Sequence, residues 1–351
     1  MKKRLIGLAC LVVLLGAALL TGCDSDKTKL YVYNWGDYMD RSVIKQFEQE
    51  NPDIKVVYEE FASNEDMYVK VTAGASNYDV AFPSDYMVRR LANEGLLHEL
   101  NMDNIPNFQY IDSRFTDMGY DPGNRYSIPY TWGTVGIAYN TTMVDEPVDS
   151  WGILWDEKYE KNLFMYDSQR DSIAVALLYL GYSLNSTDEK ELEEARDLLI
   201  AQRPLVSSYV GDEVRDLMAA QEAALAVVYN GDAMQMYDLN PDIEYVIPKE
   251  GSNIWFDCMV VPTTSQHKEE AERFIDFMCR PDIALQNTEW LCYPSPHTQV
   301  MEELDEEYRN NPTLYPDDEA LARCEEFDDL SAVLPLYNRI WDEVKVGALE
   351  E

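Results

Sequence analysis

The sequence predicts an α/β protein folded as two lobes, and three observations carry that expectation. Short apolar runs of strand character alternate with segments of helical period, the pattern of parallel βαβ units. The alternation occupies the first hundred residues and resumes near residue 162. The chain of 351 residues is long enough for two units of ordinary domain size. No internal repeat and no low-complexity linker interrupts it.

The first 22 residues stand apart from this pattern. Met1-Lys2-Lys3-Arg4 is cationic, and Leu5 to Gly22 is uncharged and mostly apolar. A basic start and a short apolar run read as a secretory signal, although the run of 18 residues also approaches the length of a membrane helix. Its ending decides. Leu20-Thr21-Gly22-Cys23 resembles the bacterial lipobox, in which the cysteine is lipidated and everything before it is removed. The expectation is a signal peptide over residues 1–22, a lipid on Cys23 and a polar tether over 23–28.

Leu30 to Asn34 reads as a strand, followed by a helix from Arg41 to Glu50 that carries Val43, Ile44 and Phe47 on one face and ends at Asn51-Pro52. Ile54 to Tyr58 is a second strand. A helix over Ser63 to Ala73 opens on Ser63-x-x-Asp66, a capping pattern, and Gly74 follows it. Asp79 to Phe82 is a third strand, and a helix from Ser84 to Glu94 is closed by Gly95. In the second half Asn162 to Tyr166 and Ala224 to Tyr229 read as buried strands. Three helices are expected between them, over Ser172 to Leu180, Asp188 to Ala201 and Asp212 to Gln221. Ile254 to Val261 is another strand, and a helix from Lys268 to Cys279 is stopped by Pro281.

Removal of the leader takes away three basic residues and no acidic one, which leaves 25 basic against 65 acidic residues and a net charge of −40. That balance argues against nucleic acid as a partner, because phosphates call for basic patches, and against attachment to anionic lipid by charge. It fits both a soluble secreted protein and one whose field draws in cationic ligands. Cys258, Cys279, Cys292 and Cys324 form no CxxC pair, so neither a zinc site nor a thioredoxin-like motif is expected; oxidised, they allow three full pairings and the spacing selects none. With three histidines and no HExxH, GxSxG or glycine-rich phosphate loop, no enzyme, cofactor or metal is expected.

What remains is a recurring pairing of aromatic residues with aspartate: Trp35-Gly36-Asp37-Tyr38, Ser84-Asp85-Tyr86, Tyr229-Asn230-Gly231-Asp232 and Trp255-Phe256-Asp257. Carboxylates bind ammonium groups, and ring faces attract cations and line methylenes. Trp35, Asp37, Tyr38, Ser84, Tyr86, Asp167, Tyr229 and Asp232 all follow expected strands. Ligands of open parallel sheets sit beyond the carboxyl ends of strands. Groups from both halves at such ends favour a ligand held in a cleft between lobes.

In order, Tyr33-Asn34-Trp35-Gly36-Asp37-Tyr38, Ser63-Asn64-Glu65-Asp66-Met67-Tyr68, residues Tyr78 to Tyr86, Ser127 to Gly133, Tyr229-Asn230-Gly231-Asp232-Ala233, Trp255-Phe256-Asp257 and Tyr293-Pro294-Ser295-Pro296 resemble the spermidine/putrescine-binding proteins of bacterial ABC importers, over roughly Lys29 to Trp341. The resemblance implies a type II-like, two-lobed periplasmic-binding-protein fold that closes on its ligand at a hinge. The crossings would lie near Gly133 to Ala138, Ile254 to Cys258 and Met301. Lobe one would combine 27–135 with 258–300, and lobe two 136–257 with 301–351. It implies a ligand set of Trp35, Asp37, Tyr38, Ser84 and Tyr86 from the first lobe, with Asp171, Tyr229, Asp232, Trp255, Asp257 and Tyr293. Asp171 stands where relatives use glutamate, Tyr229 where they often place tryptophan, and Asp232 at an acidic position of putrescine-type members. Ser168 replaces an aspartate of spermidine-type relatives, and Phe327 a glutamine.

The function so implied is capture of a polyamine, putrescine and/or spermidine, by a monomeric extracytoplasmic lipoprotein. The protein would be anchored to the membrane through Cys23 and would deliver its ligand to an ABC permease and ATPase complex. Asp232 together with the lost acid at Ser168 leans toward the shorter diamine. Asp85 is read as a helix-start residue, Asp167 is undecided, and Trp132, Trp151, Trp155, Trp290 and Trp341 are expected to pack. A binding protein of the same fold for a sugar or another organic cation, or a polyamine sensor, stays open, since sugar sites also use Trp and Asp.

Overall fold

The computed structural model describes residues 27–73 and 77–346; the expected signal peptide and Cys23 lie outside them. Nine strands run in chain order as β1 (Thr28–Trp35), β2 (Ile54–Phe61), β3 (Val80–Ala81), β4 (Ser127–Asn140), β5 (Leu163–Tyr166), β6 (Val206–Val210), β7 (Leu225–Tyr229), β8 (Ile243–Val246) and β9 (Ile254–Val260). They are hydrogen-bonded in the order β2-β1-β3-β9-β4-β7-β5-β6, with β8 added on β4. The outer strands are parallel, β1 with β2 and β3, and β5 with β6 and β7. β4 and β9 run antiparallel to their neighbours, so the βαβ pattern describes the flanks of the sheet and not its centre.

β4 makes two lobes out of one chain of strands. Its first part, Ser127 to Thr134, pairs with β9, and from Val135 to Tyr139 it pairs with β7 instead. On its other edge Ile137 to Asn140 pair with β8. A strand that exchanges one sheet for another within a single peptide unit is a natural place for bending. β2-β1-β3 form one flank and β7-β5-β6 the other, with β9 and β4 between them.

Both sheets are covered on both faces, which explains why their strands read as continuous apolar runs. Successive residues point to opposite faces: in lobe one Val32, Val80 and Met259 join one core with Phe47 and Phe274, while Tyr33, Ala81 and Val260 join another. In lobe two Leu225, Val227 and Met165 face helices Gln169–Tyr179 and Glu189–Gln202, while Ala226, Val228 and Phe164 face Val214 and Met236. The helix Leu334–Val346 closes lobe two, with Tyr337 donating to Ser186 O at 2.9 Å and Arg196 paired to Glu343 at 3.0 Å.

Side-chain caps start most of the expected helices. Asp40 accepts from Ser42 N ahead of Arg41–Glu50, Ser63 from Asp66 N ahead of Asn64–Thr72, and Asp188 from Lys190 N ahead of Glu189–Gln202. Three expectations are corrected. Pro281 does not simply end a helix: it opens a further one, Pro281–Leu291, because at the first helical position its missing N–H is not needed. The helix expected over 212–221 is confined to Val214–Ala219. Trp290, expected to pack, is exposed.

β4 was hidden by Pro129, Gly133 and Gly136, residues that normally argue against a strand. Pro129 sits at a register shift against β9. Gly136 lies under Tyr245, where a Cβ would come within 2.5 Å of the ring and of Val246 O. Gly136→Val is therefore expected to destabilise the protein by about 1–3 kcal/mol through overpacking, measured as a lower urea midpoint at unchanged m-value.

Candidate functional site

The side chains that converge between the lobes come from strand ends and from β9. Tyr229 is the last residue of β7, Ser84 follows β3 at the N-cap position of helix Asp85–Asn93 without a side-chain capping bond, and Tyr38 follows β1. Trp255 and Asp257 lie within β9, beside the point where β4 changes partners. Tyr293 is turned inward by Cys292, which ends helix Pro281–Leu291 in the left-handed region at φ 59°. Gly231 makes room for that ring, since a Cβ there would lie 2.5 Å from it.

The rings form a continuous edge-to-face series from one lobe into the other. Tyr38 meets Tyr293 with centroids 5.7 Å apart, Tyr293 meets Trp255 at 5.5 Å, Trp255 meets Tyr229 at 5.8 Å, and Tyr229 meets Tyr166 at 4.9 Å. Three carboxylates lie along the series, and none is more than 5% exposed: Asp257, Asp171 and Asp232. Asp257 accepts from Ser84 Oγ at 2.7 Å and Tyr38 OH at 2.8 Å. Asp171 Oδ2 accepts from Ser168 Oγ at 2.6 Å and Tyr229 OH at 2.9 Å, while its Oδ1 has no partner. Asp232 Oδ2 is also without a partner, and Oδ1 lies 4.0 Å from Arg215 Nε.

Burial is the first cause of the shifts at all three carboxyls. It pushes Asp257 up to about 6 against the hydrogen bonds from Ser84 and Tyr38, and Asp232 up to about 7 against the attraction of Arg215. Asp171 is raised in the same sense, opposed by Ser168, Tyr229 and Arg170. Among the described residues neither Asp171 nor Asp257 has an ion-pair partner within 4.0 Å. The arrangement calls for positive charge supplied from outside, spaced along an apolar, ring-lined path.

The remaining expected residues are placed differently. Trp35 donates its indole N–H to Phe82 O at 2.8 Å and packs on Phe61 at 4.5 Å. Asp37 is 62% exposed and reaches Arg215 of the other lobe at 3.7 Å. Tyr86 donates to Glu65 at 3.1 Å and its ring faces the Arg170 guanidinium at 5.2 Å. Asp167 pairs with Lys345 at 2.6 Å and is about half exposed. Asp85 is buried but spends its oxygens on Tyr86 N and Phe256 N, a structural role. The four cysteines are free thiols.

Several supporting groups were not anticipated. Asn64 donates to Ser84 Oγ at 3.0 Å and accepts from Ser84 N at 3.2 Å. Tyr130 OH donates to Tyr38 O at 2.7 Å and itself accepts from Asn287 at 2.7 Å. Ser168, the residue that replaces an aspartate of spermidine-type relatives, holds Asp171 in a Ser-x-x-Asp cap, a spacing that the sequence does display. Arg215 carried no such signal.

A family model described as bacterial extracellular solute-binding protein matches residues 42–316. The chain belongs to that family. Its members are solute-binding components of transport and not a class of enzymes, and they act outside the cytoplasm. Over 324 residues the chain is 36% identical to the spermidine/putrescine-binding periplasmic protein of Escherichia coli, covering 92% of this chain and 93% of the relative. It is 31% identical to the putrescine-binding periplasmic protein SpuD of Pseudomonas aeruginosa, covering 99% of this chain and all of that one. Among solved structures, the spermidine/putrescine ABC transporter substrate-binding protein PotD of Streptococcus pneumoniae superposes with a TM-score of 0.79 at 39% identity, covering 92% of this chain and 100% of that one.

For a solute-binding protein with such a site, ligand-free stability depends on pH in an unusual direction. A carboxyl whose folded pKa lies above its unfolded value of about 3.9 binds more protons when folded, so its contribution to stability falls as pH rises through that window. For Asp232 the window runs from the unfolded value to about 7. The stability gap between Asp232→Asn and wild type, in urea titrations without ligand, should move in favour of the variant by about 2–3 kcal/mol between about pH 5 and about pH 7.5. A gap that does not change with pH would mean that Asp232 ionises as an ordinary surface acid.

Proposed function

We propose that this protein captures a polyamine, putrescine or spermidine, outside the cytoplasm and delivers it to an ABC permease and ATPase complex. One observation carries the reading: three buried carboxylates, with a single guanidinium 4.0 Å from one of them, lie along an unbroken series of aromatic rings. A polyamine has the matching form, ammonium groups separated by methylenes. Its terminal ammoniums would pair with Asp257 at one end and Asp171 or Asp232 at the other. The faces of Trp255, Tyr293 and Tyr229 would flank the methylenes, each cation–π contact contributing roughly 0.5–2 kcal/mol. The names of the E. coli and P. aeruginosa relatives add support.

Lobe one comprises 27–135 with 258–300 and lobe two 136–257 with 301–351 in this proposal, a division favoured by the exchange of partners along β4. Closure would then bring Tyr38 and Tyr293 of lobe one against Tyr229, Asp171 and Asp232 of lobe two, with Asp257 at the crossing between them. The protein acts as a monomer held to the membrane by a lipid on Cys23. A Cys23→Ala variant is expected to move from the detergent phase to the aqueous phase on partitioning of whole-cell protein.

The test of function is titration calorimetry on protein lacking residues 1–26, with putrescine, cadaverine, spermidine, spermine and maltose. Binding of at least one amine and silence with maltose is expected; maltose binding without amine binding would overturn the reading. Asp257→Ala should lose about 3–5 kcal/mol of amine affinity, the scale for removing one partner of a buried pair. A loss below about 1 kcal/mol, no more than a surface pair contributes, would take Asp257 out of the site.

A further inference from the structure

Arg215 is a cation of the protein's own placed among the site's carboxylates. Its side chain is 17% exposed, with Nε 4.0 Å from Asp232 Oδ1 and Nη2 at 3.9 Å from Asp212 and 3.7 Å from Asp37. It is fixed there by Nη1 donating to Gln235 Oε1 at 2.9 Å and Nε to Asp212 O at 3.1 Å. Asp37 comes from the loop after β1 in lobe one, whereas Arg215, Asp212, Asp232 and Gln235 belong to lobe two, so the guanidinium spans the mouth of the cleft. The other buried guanidinium nearby, Arg170, is committed elsewhere. It donates to Asp328 O at 3.2 Å and lies over the Phe327 ring at 4.2 Å.

Resting on the polyamine reading, we infer that Arg215 sets the charge of the ligand: it occupies one of the three cationic places that Asp171, Asp232 and Asp257 create, leaving room for a diammonium and opposing a third ammonium. Arg170 acts on Asp171 only from a distance, so the three carboxylates less the one guanidinium within 4.0 Å of any of them leave two negative charges along the rings. A diamine satisfies both. A triamine would bring its extra charge toward a guanidinium that cannot retreat, because Gln235 and the Asp212 carbonyl hold it. Asp37 and Asp212 also face Arg215, but both are more than half exposed, so water screens their charge more than that of the three buried acids.

The experiment compares putrescine and spermidine in titration calorimetry on wild type, Arg215→Gln and Arg215→Lys, each first checked for cooperative thermal unfolding. In wild type the diamine is expected to bind more tightly. In Arg215→Gln the ratio of the two dissociation constants should shift by about tenfold or more toward spermidine, the scale of one like-charge contact at low effective dielectric. Arg215→Lys, which keeps the charge, should stay near the wild-type ratio. An unchanged ratio in Arg215→Gln, or an equal shift in Arg215→Lys, would overturn the role of Arg215 while leaving polyamine capture intact. No amine binding by wild type would overturn both.

Discussion

Three carboxylates withdrawn from water, without enough positive charge beside them, set the conditions for everything else in this molecule. An ionised group in such a place is stabilised only by what faces it. Here hydroxyls face it: Tyr38 and Ser84 on Asp257, Tyr229 and Ser168 on Asp171. Burial and the neighbouring carboxylates push the Tyr38 and Tyr229 phenols well above their usual range, so both remain donors at any physiological pH. Hydroxyl donors lower the energy of a carboxylate but do not neutralise it. The site therefore keeps a demand for cations that the fold alone does not satisfy, and the fold carries it as a cost until a ligand arrives.

That demand is tied to the hinge by the two central strands. Asp257 and Trp255 lie on β9, directly opposite the part of β4 that precedes its change of sheet, with Asp257 facing Thr131 and Trp255 facing Gly133. Gly133 has no Cβ because the Trp255 indole and Asn230 occupy that space. Lobe one adds Tyr38, braced by Tyr130 and Asn287, and lobe two adds Tyr229 and Asp171 at the end of β7 and in the first turn after β5. The aromatic series crosses the seam between them. If the lobes turn about this seam, a change in lobe angle would open that series, and a ligand lying along it, as proposed above, would resist the opening. On that proposal binding and closure would be one event, in the sense that the ligand favours the conformation it completes.

Much of this was legible in the chain. From Thr28 to Asn93 the strands and helices follow from apolar periodicity and from caps such as Ser63-x-x-Asp66, because each depends on residues a few positions apart. The aspartate–aromatic pairs were legible because strand ends are where ligands meet parallel sheets. β4 was not: Pro129, Gly133 and Gly136 are residues that argue against a strand, and the reasons for the two glycines lie in Trp255 and Tyr245, more than a hundred residues away. Arg215 lay inside a stretch read only as helix, and its neighbours Asp37 and Gln235 come from both lobes. Trp35 shows the converse, a residue chosen for its place at a strand end whose indole the fold ties to Phe82 and Phe61. Local rules predict elements; convergence is a property of the closed tertiary structure.

The same distinction separates attraction from selection. The strongly acidic surface acts over roughly 8–10 Å at ordinary ionic strength and draws in any cation, metal ion or amine alike. Selection has to come from the buried groups, and their arrangement is ill suited to a small ion. A divalent metal wants several oxygens converging on one point, whereas among the described residues no three Asp, Glu, His or Cys side chains come together in that way. Asp257 and Asp171 are instead set apart, each beside its own tyrosine hydroxyl, with Trp255 flanked by Tyr293 on one side and Tyr229 on the other. Rings along the path favour a cation that carries apolar surface between its charges. A hydrated ion would have to give up its water to those rings, while an alkyl diamine has only methylenes to place there.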